Sequence, residues 1–343
     1  MLANFKASMQ FKYNYINKVR SDEKLAYRRA TKILLEICAG TKKEESILFV
    51  TDDTSKDICE IMWNNSKEYP NKTIVMMSDR RMHGDEPPLT VAAAMKNTDV
   101  IFGITKFSMF HTNARRNAIK KGARFVNMAD YSVDMMKNGG LFVDFVEQGK
   151  LLDRLSNVLK GKKVHIKSEI GTDITFSIDG REPLRQYGRS LEPGTSSSPP
   201  DIETALGPIE GTANGVVIID GSIPHPRLGV LEEKIKLVLK RGRITAIEGE
   251  EEATILRNVL REMNDDAIYI LGEMGIGLND MSKLCNQMLE DEGVMGTIHF
   301  GFGNSIAFGG TVDSKNHLDM IFKNPTLSVD ERTLMINGEL SFE

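Results

Sequence analysis

The sequence predicts two domains of different class: an α/β domain with a mostly parallel sheet, then an α+β domain with a curved mixed or antiparallel sheet. Three observations carry this expectation. Compact apolar runs alternate with helical patterns as far as ARFVNM at 123–128, the signature of βα units. Beyond the KGKK turn at 160–163 the pattern changes to short alternating strands joined by Gly or Asp-Gly turns. The chain of 343 residues also exceeds the usual size of one domain. The boundary is placed near 160, giving domains at 1–160 and 161–343.

The elements follow in order. Residues 24–37, KLAYRRATKILLEI, repeat apolar positions at helical spacing. SILFV at 46–50 is a strand, and 55–63 a helix that Ser55 can cap, with Ile58, Ile61 and Met62 inward. KTIVMM at 72–77 is a second strand, followed by the turn-rich loop SDRRMHGDEPP. A helix at 89–96 leads to a third strand, DVIFGIT at 99–105, and a helix from His111 to Lys120 leads to the fourth, ARFVNM. Neither GxxxxGK[ST] nor GxGxxG stands at a strand-to-helix turn, which argues against an ordinary nucleotide-binding domain or nicotinamide dehydrogenase. A helix at 144–159 ends at Gly161. The second domain opens with VHIKS at 164–168 and DITFSID at 173–179. SSSPP at 196–200 is a loop; VVIIDGSI, GVLEEKIKLVLKRGRITAIEG and MINGE add β-rich segments, and 250–263 is a helix.

Apolar residues make up 41% and charged residues 27% of the chain, so its core needs no disulfide or structural metal. Cys38, Cys59 and Cys285 are odd in number and far apart, which points to a reducing compartment. The start, MLANFKASMQFKYNYINKVR, lacks a continuous apolar signal core. No apolar run approaches the about 20 residues that cross a bilayer. The expected location is therefore cytoplasmic. With 44 basic against 48 acidic residues, neither a nucleic-acid surface nor a membrane surface is expected.

The chemistry gathers in the second half. Of six histidines, His317 stands in HLD, two residues before Asp319, and residues two apart on a strand share a face. His299 lies in GTIHFGFGN, where glycines allow close approach of backbone. Glu203 follows a Gly/Ser/Pro-rich segment, and Glu273 reads as a carboxylate after an apolar strand and before a glycine-rich turn. Burying an unpaired carboxylate is costly, and a cation offsets that cost. Carboxylates with imidazoles fit one or two divalent ions such as zinc, cobalt or manganese, or Fe(II). Each residue also has a plain structural alternative: a surface hydrogen bond for the HxD pair, a salt bridge or cap for each glutamate. His111, in the first half, either transfers protons in a cleft or caps its helix.

Several segments together resemble the aminopeptidase T/aminopeptidase S family of metallopeptidases, often described as leucyl aminopeptidase-like. They are GTSSSPPDIETALGPIEGTANGVVIIDGSI, ILGEMGIGLN, GTIHFGFGN, HLD and DERTLMINGE, in family order across 194–339, with HTNAR and GARFVNM in the first half. The resemblance implies that Glu203, Glu273, His299, His317 and Asp319 hold a two-metal centre. Such a centre activates water against the first peptide bond of a short peptide; in the mechanism expected from these residues a carboxylate at or beside the metals shuttles the proton, and Glu203 is the candidate for that role as well as for ligation. The resemblance also implies a homodimer. One departure is Ile306, at the place where the family peptidases carry a tyrosine seven residues after the first histidine; Asn304 and Ser305 are the neighbours able to replace its donor. The larger family includes enzymes resembling 2,5-dihydroxypyridine 5,6-dioxygenase, which use one ferrous ion. For that reaction His299, His317 and Asp319 would form the triad. The preferred expectation is an aminopeptidase, with a ring-cleaving dioxygenase or a noncatalytic metal or small-molecule binder as alternatives.

Overall fold

The computed structural model describes residues 22–342; the stretch read above for a signal core lies outside them. The chain divides into two compact units. The first runs to Phe142 and takes in Arg189–Ser197; the second holds Val143–Gly188 and everything from Ser198 onward. The division thus falls ahead of the expected 160, because the helix Phe145–Val158 belongs to the second unit. That helix starts where Asp144 accepts hydrogen bonds from the N–H groups of Val146 and Glu147.

The first unit is built on a five-stranded parallel sheet. Its spatial order is Lys72–Met77, Ile47–Asp52, Val100–Ile104, Arg124–Asn127 and Ser196–Ser197. Every residue of Ile47–Asp52 is buried, as expected of an inner strand covered on both faces. The fifth strand corrects the reading of SSSPP as a loop: Ser196 and Ser197 pair with Phe125 and Val126. Two helix starts also differ. Ser55 occupies the N-cap of Lys56–Asn65 but its hydroxyl makes no capping bond; Asp52 instead accepts from Ser55 N at 2.9 Å and Lys106 N at 2.7 Å. The helix expected from His111 is Asn113–Ile119, and Thr112, not His111, caps it by accepting from Arg115 N at 3.2 Å. The N-terminal helix covers 22–32 and continues as a π-helical turn, Ile33–Cys38, that buries Leu34, Leu35 and Cys38.

The second unit is α+β and its main sheets are antiparallel. One has eight strands; the other has five and carries the candidate site. The turn between Ile235–Lys240 and Arg243–Glu248 places Arg241 and Gly242 at φ 48° and 76°, the left-handed pair that a two-residue hairpin requires. Phe176 of the eight-stranded sheet packs edge-on against Phe300 at 5.9 Å, and Phe300 against Phe322 at 5.2 Å. This aromatic ladder fixes the back of the site sheet. Among the described residues no helix is long and apolar enough to cross a membrane.

Candidate metal centre

The five-stranded sheet runs in the order His317–Lys323, Thr297–Gly303, Leu271–Gly277, Glu203–Leu206 and Leu184–Gln186. Its antiparallel register sets Glu273 and Asp319 on either side of Gly301, His299 opposite Gly275, and Glu203 opposite Gly277. Side chains alternate along a strand, so the odd-numbered positions share one face. The even-numbered positions supply the other: Met274, Ile276, Ile298, Phe300, Phe302, Leu318, Met320 and Phe322 are all buried. One face is core and the other is chemistry. Glu273 lies within its strand, not after it as the sequence suggested. Glycines on both sides of it account for the misreading, because they look like a turn.

Those glycines are the space of the site. A Cβ on Gly275 would stand 2.1 Å from His299 Nε2 and 2.9 Å from Glu203 Oε2. One on Gly301 would stand 2.5 Å from His317 Nε2 and 2.8 Å from Glu273 Oε2. No side chain larger than hydrogen leaves the imidazoles where they are.

Five side chains converge there. Glu203, Glu273 and His299 form one group and Glu273, His317 and Asp319 another, with ligand-type atoms within 4.8 Å of one another in each. Glu273 is common to both: Oε1 lies 3.6 Å from His299 Nε2, and Oε2 lies 2.9 Å from His317 Nε2. Asp319 Oδ1 is 3.0 Å from His317 Nε2. His317 Nδ1 is 2.9 Å from the carbonyl of Asn304, which fixes the ring and leaves Nε2 turned to the carboxylates. Phe308 stacks on the same imidazole at 5.6 Å.

The electrostatics is that of charges held together in little water. Burial opposes charge on His299, yet Glu203 and Glu273 raise its pKa well above the imidazole range. His317 is raised likewise, against burial, by Asp319 and Glu273. Burial raises Glu203 against the pull of His299, with Glu273 and Asp319 adding to the rise. Burial opposes the charge of Asp319 too, but His317, His299 and a hydrogen bond from Glu292 hold its carboxyl at about 2. Glu203 Oε2 is buried and accepts no hydrogen bond, although His299 Nε2 lies 3.1 Å away. His317 Nε2 and Asp319 Oδ1 do share a hydrogen bond, whereas the buried Glu203 oxygen lies close to a ring nitrogen without one, and such an oxygen suits a cation beside it. The donor set and the glycine-cleared space therefore fit divalent metal.

Two acids were not anticipated. Asp201 is 3% exposed, with Oδ1 lacking a partner, and burial and Glu203 push its pKa well up. Glu292 is raised by burial and by Asp319, its hydrogen-bond acceptor. Asp201 had a readable signal, standing two before Glu203 as His317 stands two before Asp319. Glu292 follows the short helix Met288–Asp291, where no periodicity marks it. The replacement donors expected beside Ile306 are committed elsewhere: Asn304 bonds Ile306 N and Ser314 O, and Ser305 Oγ accepts from Val312 N. Ile306 itself is 55% exposed. His111 lies in the first unit and belongs to neither ligand group.

The family of proteins described as 2,5-dihydroxypyridine 5,6-dioxygenase (NicX) matches residues 42–342. The chain belongs to this family. A curated member, 2,5-dihydroxypyridine 5,6-dioxygenase of Pseudomonas putida, is 26% identical over 191 residues, 53% of this chain and 55% of that protein. The chain thus spans about half the length of the curated relative it matches. The solved structure of 2,5-dihydroxypyridine dioxygenase from P. putida superposes with a TM-score of 0.74 at 18% identity, over 94% of this chain and 97% of that one. Wild-type AmpT from Thermus thermophilus superposes with a TM-score of 0.69 at 14% identity, over 93% of this chain and all of that one. Both show a shared fold. Within this NicX-family chain the two histidines fall in different ligand groups, so the expected grouping of His299, His317 and Asp319 as one triad is not among the clusters formed.

Proposed function

We propose that the protein is a metal-dependent hydrolase of the aminopeptidase type, acting on a short peptide or small amide. The observation that carries this reading is the Glu273 carboxylate, which turns one oxygen toward His299 and the other toward His317. A carboxylate shared by two ligand groups suits two cations side by side. Glu203, Glu273 and His299 would hold one, and Glu273, His317 and Asp319 the other. A pair of divalent cations supplies a nucleophilic water at neutral pH and neutralises the charge that develops on an amide oxygen. The protein's own part is to place and dry the site. Asn304 and Phe308 hold the His317 ring, Gly275 and Gly301 keep space open before the ligands, and the buried opposite face of the sheet keeps the strands in register. Glu203 Oε2, without a hydrogen-bond donor, is the oxygen available to take a proton from water. Ile306 offers no donor, so this loop supplies no side chain to an oxyanion.

A specific observation favours a second reading, an Fe(II)-dependent ring-cleaving dioxygenase: the family match and the P. putida relative both bear that name. The two readings separate in one set of assays on protein purified without air. It is reconstituted with zinc, cobalt, manganese or Fe(II), then given an amino-acyl p-nitroanilide panel or 2,5-dihydroxypyridine in an oxygen electrode. Amide cleavage with two bound ions per chain is the expected result. Oxygen uptake with one bound iron and no amide cleavage overturns the hydrolase in favour of the dioxygenase. Metal uptake with neither activity leaves a binding protein and overturns both.

A further inference from the structure

The five candidate ligands are not held alike. The side chains of Glu203, Glu273, His299 and Asp319 are at most 9% exposed, whereas that of His317 is 26% exposed. Packing fixes the first four; the His317 ring depends more on what reaches it from outside the sheet. Two contacts from outside the ligand groups do so, the Asn304 carbonyl at Nδ1 and the Phe308 ring stacked on one face. Both come from one loop, 304–312, which leads from Thr297–Gly303 toward His317–Lys323. What holds this loop therefore also holds the imidazole.

The loop is braced within itself. Ser305 N donates to the Val312 carbonyl and Val312 N to Ser305 Oγ, each at 3.0 Å, and Gly310 N donates to the Ser305 carbonyl at 2.9 Å. Beyond its own stem, two hydrogen-bonded anchors tie it to the rest of the second unit among the described residues. One is main chain, Gly207 N donating to the Phe308 carbonyl at 2.9 Å. The other is the Glu210 side chain. Its Oε1 accepts from Thr311 N at 2.6 Å and from Thr311 Oγ1 at 3.0 Å, and its Oε2 accepts from Arg181 Nη2 at 2.8 Å. Arg181 follows Asp173–Ser177, a strand of the eight-stranded sheet. One carboxylate thus joins that sheet to the loop of the site sheet through charge-assisted bonds, which are the strong ones. A Cβ on Gly310 would stand 3.1 Å from Glu210 Oε1 and 2.1 Å from Ser305 Oγ, so the loop seats against the carboxylate with no room for a side chain there. Glu210 itself belongs to neither ligand group.

We propose that Glu210 is a positioning residue for His317: it clamps the loop whose Asn304 carbonyl and Phe308 ring orient the imidazole. The role rests on the reading of His317 as a metal ligand.

The test uses the full chain prepared metal-free with 13C-labelled histidine. Zinc affinity is measured by competition with a chromophoric chelator, and the ring signals of His317 are assigned with His317→Gln. In Glu210→Ala the His317 step of the zinc isotherm should weaken about tenfold, with the His299 step intact. The His317 signals of the metal-free protein should move toward those of Phe308→Ala as the stacked ring departs. Glu210→Gln keeps an acceptor for Thr311 and should lose less; if Glu210→Ala does not fold, this variant carries the test. Glu210→Ala and Phe308→Ala combined should lose less than the sum of their separate losses, because both act on one ring. A lower melting temperature with unmoved His317 signals and unchanged zinc affinity would make Glu210 a structural anchor only and overturn the proposal. Additive losses, or equal weakening of both steps, would overturn it too. A chain that takes up no zinc defeats the metal-centre reading instead, and the His317 signals of the metal-free protein then decide the clamp by themselves.

Discussion

Gly275 and His299 are register partners on adjacent antiparallel strands, and a Cβ on Gly275 would fall 2.1 Å from His299 Nε2. The imidazole occupies the volume that any other residue at 275 would fill. Gly275→Ala should therefore displace His299 while the strand still pairs. We expect normal far-UV circular dichroism and a fall of more than tenfold in affinity at the Glu203/His299 position, measured by competition with a chromophoric chelator. An unaltered affinity would show that His299 is not a ligand.

Glu273 is common to both ligand groups, whereas Asp319 and Glu203 each belong to one. Glu273→Gln should bind fewer metal ions per chain than either Asp319→Asn or Glu203→Gln when measured by plasma mass spectrometry after desalting. A tenfold loss at a position corresponds to about 1.4 kcal/mol, enough to empty a micromolar site on a column. Equal stoichiometry in all three variants would remove the case for a shared carboxylate.

Phe308 stacks on His317, and its carbonyl accepts from Gly207 N at 2.9 Å, so the ring is held on a fixed loop. Phe308→Ala frees one face of the imidazole. Neighbours that orient ligating histidines change metal affinity by about 10–100-fold. The expected isotherm has its His317 step weakened and its His299 step intact. Weakening of both steps together would point to a general loosening of the sheet instead.

The thiols should be inert. Burial pushes Cys59 and Cys285 up to about 12, with Glu60 adding to the first and Asp291 to the second; burial also raises Cys38. A raised thiol pKa keeps the neutral form until the pH passes it, so at pH 8 about one thiol in ten thousand is thiolate. No fast phase is expected with a disulfide reagent in the folded protein, and three thiols should titrate after unfolding. Cys38 and Cys59 are buried and Cys285 half-buried, and a fast equivalent at pH 8 would contradict the raised thiol pKa values.

Much of this was readable along the chain. The βα alternation comes through because its strands are short apolar runs, the inner ones such as Ile47–Asp52 and Val100–Ile104 buried throughout. The HxD pair comes through because period two is visible in three residues. Glu273 was placed after its strand because glycine normally ends one; here the glycines are held in the ladder and make room for ligands from neighbouring strands, a cross-strand reason that one segment cannot display. Asp201 shares the period-two spacing yet stands at the end of the turn Ser198–Asp201, whose closing bond runs from Asp201 N to the Ser198 carbonyl at 3.0 Å, ahead of the strand Glu203–Leu206, so strand alternation does not reach it. The pairing of Ser196 and Ser197 with Phe125 and Val126 depends on contacts some seventy positions apart, and nothing local in two serines announces it.

That last pairing bears on how such a protein can be inherited and rearranged. The sheet of the first unit is completed by a strand encoded after 46 residues of the second, Val143–Gly188. A gene cut at one point between the units would leave Arg124–Asn127 as an open edge, and the severed piece would carry the hydrogen-bonding groups of a sticky strand into solution. Exchange of either unit with another protein therefore needs two joins made together. On that account the two units are expected to travel through evolution as a pair.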